Sequence, residues 1–64
     1  MDINRLKGIG IIQNINFNKM AKQLNLTRQG FYQKMNKSNF YPREIVKIKE
    51  MLNLSEDEVF KIFF

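Results

Sequence analysis

A chain of 64 residues with no cysteine and no histidine has no disulfide to brace it, none of the usual zinc ligands, and no thiol or imidazole for catalysis. Folding at this length buries only about 60% of the extended chain's surface, so one domain spanning residues 1–64 is expected, its core resting on packing alone or on packing plus a partner subunit. The net charge of +5 is unevenly spread: residues 3–43 hold eight Lys and Arg and no Asp or Glu, whereas residues 44–64 hold five acids against three Lys. No stretch approaches the roughly 20 consecutive apolar residues of a membrane span.

Strand-like alternation is not sustained anywhere, and the chain has one Pro and three Gly, so the expected fold is all-α, a compact bundle of about five short helices. Helix 1 is expected from Ile3 to Gln13. Gly8 and Gly10 each cost about 1 kcal/mol relative to Ala inside it; either they admit a close neighbour or the helix is irregular there. Asn14 suits the left-handed stop that follows a helix. Ile15, ahead of the N-cap Asn16, can pack on Met20 and fix the entry of a second helix, Phe17 to Leu24, which Asn25 ends. Leu26 and the cap Thr27 repeat the device with Phe31, opening a helix from Arg28 to Asn36. Phe40 and Ile45 repeat it around Pro42, a residue favoured at the first helical position, for a helix from Pro42 to Leu52. Leu54, the cap Ser55 and Val59 do so for a last helix, Glu56 to Ile62, where Ser55 and Glu58 form a capping box.

Helices 2 and 3 are joined by Asn25, Leu26 and Thr27 alone, the short turn that a helix-turn-helix needs. Ala21 is small enough to let the two approach. Helical spacing turns Met20, Leu24, Leu26, Phe31 and Met35 inward and leaves Arg28, Gln29, Tyr32 and Gln33 outward. That outward set has base-reading chemistry: Arg pairs bidentately with guanine and Gln with adenine, whereas a surface serving only solubility favours Lys and Glu. The acid-free basic half around it suits a polyanion. Tyr32 can contact a base or sugar, or pack half-buried. Glu56, Asp57 and Glu58 complement the dipole of the last helix, and no catalytic residue, metal, cofactor or small-molecule substrate is expected.

The segment from Asn16 to Asn36, NFNKMAKQLNLTRQGFYQKMN, resembles the helix-turn-helix of the lambda-type phage repressor and Cro family. Ala21 matches the family's small residue in the first helix, Asn25 stands for its turn glycine, and Phe31 matches the inward apolar position of its recognition helix. The resemblance implies a lambda repressor-like DNA-binding fold in which Arg28, Gln29, Tyr32 and Gln33 touch base edges and Asn16, Asn18 and Thr27 hold phosphates, with Lys19, Lys34 and Lys37 as further phosphate-contacting cations. Phe17 sits where a polar residue is commoner. Lys19 replaces an acid often found early in that helix, which weakens capping and suits phosphate. The implied protein is a transcriptional regulator without an enzymatic activity: a small Cro-like repressor of phage or mobile-element type that binds a pseudo-palindromic operator in double-stranded DNA as a homodimer, its recognition helices one DNA turn, about 34 Å, apart. With no signal-peptide pattern at its start, it is expected in the cytoplasm of a bacterial host cell. The alternative is a protein-interaction module of the same fold, an antirepressor or inhibitor, that does not read DNA sequence.

Five of the last six residues, Val59, Phe60, Ile62, Phe63 and Phe64, are apolar, too many for one helix face to hide. Either a second copy covers Phe60, Phe63 and Phe64 as a dimer interface, or the rings fold back on helix 1, whose Leu6, Ile9, Ile11 and Ile12 also need cover. The dimer is expected. Cations and apolar tail lie at opposite ends of the chain, which disfavours a membrane-surface helix.

Overall fold

The computed structural model describes residues 1–64. It contains five helices and no strand: α1 (Ile3–Ile12), α2 (Phe17–Gln23), α3 (Arg28–Lys37), α4 (Pro42–Leu52) and α5 (Glu56–Phe63). Four helices open on a side-chain cap. Asp2 accepts the Arg5 N–H at 3.0 Å, Asn16 the Lys19 N–H at 2.9 Å, Thr27 the Gly30 N–H at 3.0 Å and Ser55 the Glu58 N–H at 3.1 Å. Glu58 returns the bond, accepting the Ser55 N–H at 3.0 Å, which completes the expected box. The start of α4 is different. Pro42 needs no N–H partner, and the Glu44 carboxylate accepts the N–H of Tyr41 at 2.8 Å.

The stops share a single geometry. Asn14, Asn25, Ser38 and Asn53 adopt left-handed backbone, with φ of 61°, 57°, 53° and 52°. The residue after each donates its N–H five residues back: Ile15 to Gly10 at 2.8 Å, Leu26 to Ala21 at 2.9 Å, Asn39 to Lys34 at 3.1 Å and Leu54 to Lys49 at 2.9 Å. This is the Schellman closure, which satisfies carbonyls that a helix end would otherwise leave open. Three connections thereby read as left-handed residue, apolar residue, cap: Asn14-Ile15-Asn16, Asn25-Leu26-Thr27 and Asn53-Leu54-Ser55. The apolar member closes one helix and anchors the next. Against expectation, α1 and α2 end one residue earlier, because Gln13 and Leu24 are C-caps. Helix α3 runs one residue further, because its left-handed stop is Ser38, and α5 continues to Phe63.

Ten buried residues form one core: Leu6, Met20, Ala21, Leu24, Phe31, Met35, Ile48, Leu52, Leu54 and Ile62. Helix α2 packs on α3 and α4, and α5 packs on α1 and α4. Two bonds fasten α1 at its ends. The Asp2 N–H donates to the Ile62 carbonyl at 2.7 Å, and the Gln13 side-chain amide donates to the Leu52 carbonyl at 2.6 Å. Helix α1 is continuous through both glycines. Gly10 is buried where a Cβ would drive into the Ile15 carbonyl and the Met20 methyl, whereas a Cβ at Gly8 would meet nothing within 4 Å. Close packing therefore explains Gly10 and not Gly8.

Candidate nucleic-acid interface

The α2 and α3 helices meet at a turn closed by Asn25 and Leu26 and reopened by the Thr27 cap. Phe31 and Met35 fix the inner face of α3 in the core. With those two held, helical periodicity sends Arg28, Gln29 and Gln33 into solvent, and all three are exposed. Tyr32, on the same outward set, is only half-buried. Its ring stands edge-on to Phe17 at 6.0 Å and lies under the Arg28 guanidinium, 5.5 Å from the centroid.

Of the expected phosphate contacts, Asn18, Lys19 and Lys37 are exposed. Lys19 reaches back to the Asn14 carbonyl at 3.3 Å. Asn16 and Thr27 are exposed with side chains engaged as caps. Lys34 departs from the expectation. Its ammonium is half-buried, 3.1 Å from the Glu44 carboxylate and 4.0 Å above the Tyr41 ring, with Arg43 over that ring as well. Glu44 is itself buried and also accepts the Tyr41 N–H. Lys34 thus ties α3 to the start of α4, and its charge is matched where it stands.

A cleft of about 260 Å³ opens between the starts of α2 and α3 and the flank of α1. Ile11, Phe17 and Tyr32 line it together with Lys7, Asn18 and Arg28. Lys7 and Ile11 join the site only through the packing of α1. The sole sequence signal for Lys7 is its place in the acid-free half.

Ion pairs engage only two of the eight cations between residues 3 and 43. Arg5 pairs with Asp2 at 3.5 Å, Lys34 with Glu44, and Lys61 with Asp57 at 3.0 Å. Lys7, Lys19, Lys22, Arg28, Lys37 and Arg43 have no carboxylate within pairing distance. Unmatched cations of this kind generate the positive potential that attracts polyanions.

The apolar tail divides three ways. Ile62 is fully buried, and Val59 and Phe63 are half-buried. Phe63 meets Phe40 edge-on at 6.1 Å, so its expected place in a dimer interface gives way to packing within the chain. Phe60 and Phe64 are 65% and 80% exposed, their rings 6.3 Å apart. Helix α5 packs on α1, whose Leu6 is buried, yet Ile11 and Ile12 stay exposed. Glu56, Asp57 and Glu58 build no metal site, and nowhere do three acidic side chains gather as ligands. No helix is long and apolar enough to cross a membrane. Comparison of the chain with protein-family models, with curated proteins and with solved structures finds no match.

Proposed function

We propose that α2 and α3 act as a helix-turn-helix and that the chain is a sequence-specific DNA-binding transcriptional regulator, a small Cro-like repressor. The observation that carries this reading is the outer face of α3: Arg28, Gln29 and Gln33 stand exposed, backed by buried Phe31 and Met35, within 41 residues that contain no acid. A ten-residue helix is about 15 Å long, and the major groove, about 12 Å wide, admits one. Arg28, Gln29 and Gln33 read base edges there. Asn16, Asn18, Thr27, Lys19 and Lys37 hold the sugar-phosphate strand and set the register without selecting sequence. Lys34 is left out because Glu44 already matches it. The exposed Phe60 and Phe64 pair supports a homodimer, which places two α3 helices on the halves of a pseudo-palindromic operator. The reading requires no cofactor and no catalytic group.

The test is titration of fluorescent duplexes at several salt concentrations. Wild-type protein is expected to prefer one sequence and to lose affinity steeply as salt rises. Lys37→Ala lowers the salt slope by about one, and the Gln29→Ala/Gln33→Ala double variant loses sequence preference while retaining non-specific affinity. Equal affinity of wild type and double variant for every sequence would remove base reading from the account.

A further inference from the structure

We infer that Tyr32 is a positioning residue, reading no base itself and holding the Arg28 guanidinium in one orientation toward guanine, on an aromatic stack rooted in the core. The inference rests on the reading of α3 as the base-contacting helix. Arg28 and Tyr32 are one turn apart on α3 and share a helix face. The guanidinium carbon lies 5.5 Å from the Tyr32 centroid, inside the roughly 6 Å range over which a ring face attracts a cation. Tyr32 in turn stands on Phe17, centroids 6.0 Å apart and planes at 79°. Phe17 lies 5.7 Å from Phe31, whose side chain is fully buried. Four side chains thus connect the core to the tip of an exposed arginine.

The chemistry of guanine recognition gives this stack a purpose. A bidentate contact to guanine requires the guanidinium fork to lie in the plane of the base edge. An unsupported arginine on a helix surface samples many rotamers and gives up that freedom on binding. A ring fixed beneath it limits the choice beforehand. Tyr32 is half-buried with its ring nearly perpendicular to that of Phe17, so its ring serves as a platform and does not swing into the groove. Phe17 gains a role in the same way, as the support under Tyr32 at the opening of α2.

The experiment compares affinity for a preferred duplex with affinity for the same duplex carrying adenine in place of the guanine whose selection Arg28→Ala abolishes. Tyr32→Phe is expected to keep the wild-type ratio within about twofold, and Tyr32→Leu to lower it about five- to tenfold with non-specific affinity unchanged. Phe17→Leu lowers it less. In the free protein, ring current shifts the Arg28 side-chain protons upfield in wild type and in Tyr32→Phe, and the shift vanishes in Tyr32→Leu. If Tyr32→Phe loses as much selectivity as Tyr32→Leu, the hydroxyl contacts DNA directly and the inference is overturned. An unchanged ratio in folded Tyr32→Leu overturns it equally. Should Tyr32→Leu not fold, the Tyr32→Phe ratio and the Arg28 proton shift decide. Wild type without any sequence preference would overturn the reading of α3, and the inference with it, even where the upfield shift reports the stack.

Discussion

In α3 Arg28 and Lys37 meet water while Phe31 and Tyr32 turn inward; in α5 Lys61 pairs with Asp57 while Phe60, beside the C-terminal Phe64, meets water. Arg28 is exposed with no carboxylate near it, whereas Lys61 is held by Asp57 at 3.0 Å beside exposed Phe60. Both helices begin on the same hydroxyl cap, and the helices before them end on the same left-handed Asn. Local devices therefore set the scaffold, and the surface each helix carries sets what it can bind. A base-reading face needs unmatched polar groups. A face meant for another copy of the chain needs apolar area that solvent would reject.

Breaking the bond that ties α3 to the start of α4 should have the largest effect. Glu44→Ala leaves the half-buried Lys34 ammonium without its carboxylate and the Tyr41 N–H without its acceptor. Loss of one partner from a buried pair costs about 3–5 kcal/mol, and with Lys34 partly open to water about 3 kcal/mol is expected in chemical denaturation. A loss below about 0.5 kcal/mol, the scale of a surface pair, would show that this bond does not hold α3 to α4. Next, on the proposed function, Arg28→Ala on the outer face of α3 should cost about 2 kcal/mol in binding the preferred sequence, with stability lowered by no more than about 1 kcal/mol through the lost contact with Tyr32. Asp57→Ala, in the other region, should leave DNA affinity unchanged and move stability by no more than about 0.5 kcal/mol. Comparable binding losses from both variants would erase the distinction between the two surfaces.

The glycines of α1 offer a comparison of opposite signs. Gly10→Ala forces a methyl against the Ile15 carbonyl and should destabilise by about 2 kcal/mol, the range of an overpacked core site. Gly8→Ala meets only open space and should stabilise by up to about 1 kcal/mol through helix propensity. Thermal melts of the two variants check both signs. Smallest in its effect on the isolated fold is Phe64→Glu: the ring is 80% exposed, so the melting temperature of the monomer should hold while the mass in sedimentation falls. A wild type that stays monomeric at high concentration would remove the second copy from the account.

The scaffold was legible where its chemistry is local. Asn16, Thr27 and Ser55 cap through short polar side chains that reach their own backbone. Asn14 and Asn25 tolerate positive φ, so starts and stops could be placed to within a residue. Asn53 follows the same pattern, Asn then apolar then cap, and was readable by analogy with Asn25. Ser38 was not, since serine seldom takes left-handed backbone. Asp2 as a cap was equally open to reading from the Arg5 that follows three residues on. The site was legible in its outward set and obscure in its couplings. The Lys34–Glu44 pair depends on how α4 crosses α3, ten residues later. The half-burial of Tyr32 depends on Phe17 arriving from another helix, and Phe63 is diverted inward by Phe40. Periodicity assigns a face; only packing assigns a partner.

Selection of bound duplexes from random DNA by the full chain tests the central claim most directly. The account predicts enrichment of a short sequence with two symmetric halves about one helical turn, or 10 base pairs, apart, with guanine preference lost in Arg28→Ala. Recovery of sequences no different from the starting pool, at a salt concentration where the protein still binds DNA, would contradict it.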